Sequence, residues 1–133
     1  ENVLTFTSTF ETLVINIDKF LITQAISNLI SNALKYSGEN PEVSIEIFEE
    51  DDNIILSVKD KGIGIPSDDQ KHLFTPFFRA GNAKTIQGTG LGLSIVKETI
   101  LMHGGNISYE SNYGIGSTFK LHFPKKLLIS FTI

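Results

Sequence analysis

Two kinds of pattern in the chain predict an α+β two-layer sandwich, with a mixed, mainly antiparallel sheet and helices on one face. Period-two alternation recurs in two pairs of segments, 42–48 with 53–60 and 106–111 with 117–123, each pair joined by a turn. Two other stretches, 19–36 and 91–103, carry apolar residues at helical spacing instead. Antiparallel hairpins with interspersed helices imply one sheet whose apolar face the helices cover.

The elements follow in order. TLVINI, 12–17, reads as a short opening strand, and Asp18 as the N-cap of a helix over 19–36. On that helix Ile22, Ala25, Ile26, Leu29, Ile30 and Ala33 form an apolar stripe, while Gln24, Asn28, Asn32 and Lys35 form a polar stripe beside it. A turn at 37–41 leads to the first hairpin, in which Val43, Ile45 and Ile47 face Ile54, Leu56 and Val58 across a polar turn at 49–53. Pro66 and Ser67 open a short helix over about 68–74, which Pro76 limits. The run 80–90, AGNAKTIQGTG, is small, polar and glycine-rich, and predicts a mobile loop. The helix at 91–103 stops at Gly104-Gly105, a common helix ending. In the last strand Phe119, Leu121 and Phe123 alternate with Lys120 and His122.

One domain is expected over 1–124, with its core at about 12–123, from a chain of 133 residues. The apolar run 125–133 follows a natural stop at Pro124 and reads as an edge strand, a linker or an appended sequence. The net charge of −4, with no block of Lys or Arg, argues against nucleic acid or an anionic membrane as a partner. The chain has no cysteine, which excludes disulfides and thiolate metal sites and fits a reducing compartment. No apolar run approaches the roughly 20 residues of a membrane span, and the N-terminus does not read as a signal peptide. A first residue of Glu rather than Met suggests a piece of a longer chain.

Four stretches combine glycine with isolated polar residues. In DKGIGIP, 60–66, a carboxylate at a strand end precedes alternating glycines, which let backbone approach a flat ligand closely. Asp60 could there accept from an exocyclic amine such as adenine N6, although a surface turn with a solvated Asp would produce the same letters. In GTGLGLSIVK, 88–97, glycines lead directly into a helix whose free N–H groups and dipole suit phosphate. The spacing is neither that of a P-loop nor that of the dinucleotide fingerprint, and close loop–helix packing is the plainer explanation. In LFTPFFRAG, 73–81, the phenylalanines suit a core, whereas Arg79 beside a glycine-rich loop suits two-point phosphate binding, with a solvated surface Arg as the alternative. In SNLISNALKYS, 27–37, Asn28 and Asn32 lie four residues apart on one helix face with Lys35 one turn on. An Asn oxygen is an acceptable Mg²⁺ ligand, and the alternative is a polar face bonded to a neighbouring loop.

Taken in this order, the stretches resemble the N box, first glycine box, phenylalanine box and second glycine box of the ATP-binding catalytic domain of bacterial sensor histidine kinases. That family sits within the Bergerat-fold group that also holds gyrase-, Hsp90- and MutL-type ATPases. NLISNALKYS, DKGIGIP, LFTPFFRAG and GTGLGLSIVK carry the likeness, and YGIGSTFKL, 113–121, resembles the closing Gly-x-Gly-Ser-Thr segment. The resemblance implies ATP and Mg²⁺ as cofactors. It makes Asn32 the Mg²⁺ ligand with Asn28 beside it, Lys35 a phosphate contact, and Tyr36 a surface against the nucleotide. Asp60 would accept from the adenine amine, with Gly62, Gly64 and Ile65 as the adenine wall and Thr118 nearby. Gly88, Thr89, Gly90, Leu91 and Gly92 would wrap the phosphates, 66–89 would contain the lid over ATP, and Arg79 would lie near the γ-phosphate or at the docking surface for the substrate domain.

One position separates the members of the group. Hydrolysing members carry a Glu one helical turn before the Mg²⁺ Asn, as general base on water. Here that residue is Asn28, whose amide cannot take a proton near neutral pH. The expectation is therefore a kinase that holds ATP for a substrate His, with a clamp- or chaperone-type ATPase and a non-catalytic nucleotide-binding module as alternatives. In the family the acceptor His lies on a helical dimerisation domain, commonly followed by Glu or Asp and a Pro. None of His72, His103 and His122 has that context, and all three read as structural. The resemblance thus implies a dimerisation domain of the same kinase as partner and a response regulator indirectly. It implies a cytoplasmic domain, with membrane anchoring of the parent left open. There is no H-R-D or D-F-G triplet of a Ser/Thr kinase.

Overall fold

The computed structural model describes residues 3–38, 41–76 and 92–127. Its first helix, α1 (Lys19–Tyr36), starts where Asp18 Oδ1 accepts the Leu21 N–H at 2.9 Å. Ile22, Ala25, Leu29 and Ala33 recur along one face and are buried against the sheet, so the apolar stripe decides which way the helix turns. The flanking Ile26, Ile30 and Leu34 are partly buried at its margins.

Among the described residues five strands form one sheet in the order β1-β2-β3-β5-β4. They are β1 (Val3–Ser8), β2 (Glu42–Glu50), β3 (Asn53–Asp60), β4 (Asn106–Asn112) and β5 (Gly116–Pro124). β1 runs parallel to β2, and the other pairings are antiparallel. In β3 the buried positions 54, 56 and 58 face the helices, as the alternation predicts. Ile55 on the other face is also buried, between its cross-strand neighbours Phe48 and His122. That outer face covers itself with long side chains: Lys120 Nζ lies 5.9 Å from the Phe48 ring centre, and Ser108 Oγ meets His122 Nε2 at 2.6 Å.

The second helical stretch forms α2 (Ser67–Gln70) and continues as turns through Phe74, shorter as a helix than the 68–74 expected. The third helix, α3 (Gly92–Met102), buries Val96, Thr99 and Ile100. His103 at its end joins two elements: its Nε2 accepts the Asp18 N–H at 3.0 Å, and its Nδ1 meets the Thr99 carbonyl at 2.8 Å. This fixes the end of α3 against the start of α1.

The strand expected at 12–17 does not form. β1 at 3–8 already occupies the outer edge of β2, so the next segment has no free ladder there and crosses to α1 as irregular chain with a single bridge residue at Ile15. Its alternation still acts: Leu13, Ile15 and Ile17 pack on the core while Val14 is exposed. A 3-10 turn at Lys125–Leu127 follows β5, where the Leu127 carbonyl accepts the Asn16 N–H at 2.6 Å and Leu127 packs on the core. Residues 128–133 lie outside the described residues.

Candidate functional site

The C-terminal part of α1, the end of β3 and the start of β5 meet around a cavity. Leu29, Ala33, Val58, Leu73, Leu93 and Phe119 give it apolar walls, and Asn32, Tyr36, Asp60, Gly64, Ile65 and Ser117 also line it. Such a slot suits a flat heteroaromatic ring, with orientation set by the few polar groups on its wall.

Asp60 is the last residue of β3 and is 7% exposed. Its Oδ1 accepts the Gly62 N–H at 2.9 Å and the Ser117 N–H at 3.3 Å. Among the described residues no hydrogen bond is made to its Oδ2. Burial pushes the carboxyl above its ordinary range, and the two backbone N–H groups pull it partly back. A buried carboxyl with one oxygen fixed and the other without a partner among the described residues is suited to a ligand N–H donor.

The turn after Asp60 is held on both sides. The Ile63 N–H donates to the Tyr36 carbonyl at 3.0 Å, and the Ile63 carbonyl accepts the Gly114 N–H at 2.7 Å. Both glycines are dictated by this packing. A Cβ on Gly62 would lie 1.9 Å from the Tyr36 carbonyl oxygen, and Gly64 has φ +66° with Asn112 O only 2.0 Å from such a Cβ. The close approach anticipated for a ligand is thus, at Gly62, an approach of backbone to backbone at the end of α1. Gly62 is not part of the cavity lining, whereas Gly64 and Ile65 are.

The remaining expected residues are distributed as follows. Asn32 lines the cavity, and a Cβ on Gly92, the first residue of α3, would lie 3.7 Å from its Nδ2. The polar side of α1 therefore meets the start of the third helix. Asn28, half-buried, and Lys35, exposed, lie on α1 outside the lining. Thr118 points away from the cavity, into a surface depression with Lys59 and Glu110, and its neighbour Ser117 takes the inward place. Arg79, Gly88, Thr89, Gly90 and Leu91 lie outside the described residues, as do Phe77, Phe78 and the run 80–90 expected as a loop.

Sequence reasoning missed Ser117, Leu73 and Leu93 as lining residues. Ser117 was within reach: it continues the inward series Phe119, Leu121, Phe123 by one step and stands in register with Asp60. From the wall residue Phe119 an aromatic row continues through Tyr109 to Phe74, with neighbouring ring centres 6.0 Å apart, and Lys97 Nζ lies 4.9 Å from the centre of the Phe74 ring.

A helix-covered mixed sheet with a buried acid at the end of one strand defines a nucleotide-binding domain of the Bergerat type. The family model described as histidine kinase-, DNA gyrase B- and HSP90-like ATPase matches residues 17–127, and the chain belongs to this family. It is 47% identical over 118 residues to the sensor histidine kinase WalK of Bacillus subtilis (strain 168), covering 86% of this chain and 19% of that protein. The solved catalytic domain of histidine kinase ThkA superposes with a TM-score of 0.79 at 34% identity, covering 93% of this chain and 80% of that one. Histidine kinase ThkA in complex with the response regulator protein TrrA gives a TM-score of 0.74 at 32% identity, covering 93% of this chain and 34% of that one. The chain thus corresponds to a catalytic domain and spans about a fifth of WalK's length.

Proposed function

We propose that this domain binds Mg-ATP and delivers its γ-phosphoryl to a His on a separate helical dimerisation domain of the same two-component sensor kinase. The observation that carries the reading is Asp60, buried with Oδ1 held by two backbone N–H groups and Oδ2 left for the adenine amine. Tyr36, Gly64 and Ile65 line the same cavity beside apolar walls that fit the base.

Asn32 is the residue for Mg²⁺, with Asn28 one turn away for a phosphate or a metal-bound water. A single amide oxygen fits an ion that binds mainly through water and phosphate oxygens and neutralises their charge when bound. Lys35 and Arg79 serve as cations for phosphate, and Gly92 at the start of α3, with Gly88, Thr89, Gly90 and Leu91 ahead of it in the sequence, supplies N–H groups. In transfer, the γ-phosphorus leaves its bridging oxygen as it joins the imidazole nitrogen, and ADP keeps the electron pair. The protein's contribution is positioning and charge, because a neutral imidazole needs little activation. Asn28 in place of a Glu withholds a general base from water.

The parent kinase would hand the phosphoryl group to a response regulator, in keeping with the ThkA–TrrA complex, and the domain would lie in the cytoplasm. The test is transfer of label from γ-labelled ATP. Acid-labile phosphate should appear on an added His-bearing dimerisation domain of the parent kinase, with negligible phosphate release when that domain is omitted. Steady turnover without an acceptor, unchanged in Asn28→Ala, would instead indicate an ATPase.

A further inference from the structure

Ser111, at the end of β4, lines no part of the cavity, yet its hydroxyl is where three segments join. Its Oγ accepts the Ile65 N–H at 2.8 Å, lies 2.7 Å from Ser117 Oγ, and donates towards the Gly116 carbonyl at 3.3 Å. Its carbonyl shares the Gln70 amide with the Ile65 carbonyl, each at 3.1 Å from Nε2. The Gln70 carbonyl in turn accepts from the Tyr109 hydroxyl at 3.2 Å.

These bonds converge on Asp60. Its two N–H donors are Gly62, on the turn that Ser111 fastens through Ile65, and Ser117, on the strand start that Ser111 fastens through Gly116 and the Ser117 hydroxyl. A hydroxyl has one proton, so Ser111 can donate either to Gly116 or to Ser117, and in both arrangements the two serines stay joined. We infer that Ser111 is a positioning residue: by holding both donors of Oδ1 it sets the direction of Oδ2, and with it the preference of the cavity for a purine carrying a 6-amine.

The inference rests on Asp60 being the acceptor for the adenine amine. Without the Ser111 hydroxyl, the Ile65 N–H and the Ser117 hydroxyl each lose a partner, and the two segments that carry the N–H donors of Oδ1 are held less firmly. Apolar contacts of the base do not depend on the direction of Oδ2. Loss should therefore fall on the amine-bearing base and spare one with a 6-oxo group.

The experiment measures binding of a non-hydrolysable ATP analogue and of its inosine counterpart, with Mg²⁺, to the wild-type chain, Ser111→Ala and Ser111→Thr. Wild type should prefer the adenine analogue. Ser111→Ala should lose about tenfold for adenine, the size of one well-placed bond to a charged group, and stay within about twofold for inosine. Ser111→Thr, which keeps the hydroxyl, should restore the preference. If Ser111→Ala is not folded, Gln70→Leu removes the amide between the Ile65 and Ser111 carbonyls and should move the ratio in the same direction by a smaller factor. An unchanged adenine-to-inosine ratio in a folded variant overturns the positioning role while leaving the adenine reading standing. Equal binding of both analogues by wild type removes the adenine reading itself, and the inference with it.

Discussion

Asp60 and Ser117 stand opposite each other at the end of β3 and the start of β5, and the Ser117 N–H donates to Asp60 Oδ1 at 3.3 Å. The bond partly offsets the burial of a carboxyl whose pKa is raised above its ordinary 3.8. A raised folded-state pKa means that the folded chain holds the proton more tightly than the unfolded one. The associated stability is fully present below the unfolded value and is lost as pH rises through the folded value. Asp60→Asn keeps an oxygen for the two N–H groups and removes the charge. It should therefore melt above wild type at neutral pH, with the difference shrinking as the pH is lowered towards 4, while nucleotide affinity falls. Thermal unfolding across that pH range checks the sign. A variant that melts below wild type at pH 7 contradicts it.

The turn glycines should separate packing from backbone freedom. Gly62→Ala puts a methyl 1.9 Å from the Tyr36 carbonyl oxygen and should cost about 3 kcal/mol, the upper end for forced overpacking. Gly38 has φ +86° and open space around it, so Gly38→Ala should cost only about 1 kcal/mol for the left-handed backbone. Denaturant unfolding of the pair gives the comparison, and equal losses would mean that the Tyr36 contact is not what requires a glycine.

Asn32→Ala should act on binding rather than on folding, since the side chain lines the cavity while Leu29 and Ala33 on the same helix hold the core. Stability should stay within about 0.5 kcal/mol. Affinity for the ATP analogue should fall about tenfold or more with Mg²⁺ present, and change little when Mg²⁺ is chelated. A loss of equal size with and without Mg²⁺ would assign Asn32 to the base or sugar instead.

Much of this was legible because it is local. Asp18 capping a stripe of Ile22, Ala25, Leu29 and Ala33 sets α1 at 19–36 in both readings, and strand alternation located both hairpins within a residue or two. What was not legible depends on partners far away in the chain. Leu4 and Phe6 alternate with Thr5 and Thr7 as a strand would, but their partner β2 lies beyond α1, and the nearby 12–17 carried a stronger version of the same pattern. In the site, Asn32 stood out as a polar residue on an apolar helix, and Asp60 as a carboxylate at a strand end ahead of alternating glycines. Leu73 and Leu93 were not, because an apolar side chain lining a ligand cavity has the same letters as one lining a core. Thr118 was placed near the adenine wall by the family resemblance alone, whereas the register with Asp60 puts Ser117 inward.

The proposed function stands or falls with the Asp60 cavity as an adenine-nucleotide site. The most direct measurement is a calorimetric titration of the chain with a non-hydrolysable ATP analogue and Mg²⁺, beside the same titration of Asp60→Ala. The account predicts a saturable one-to-one isotherm for wild type and an affinity lower by about tenfold or more for a folded Asp60→Ala, the loss of a hydrogen bond to a buried charge. Binding by Asp60→Ala as tight as by the parent chain would contradict it.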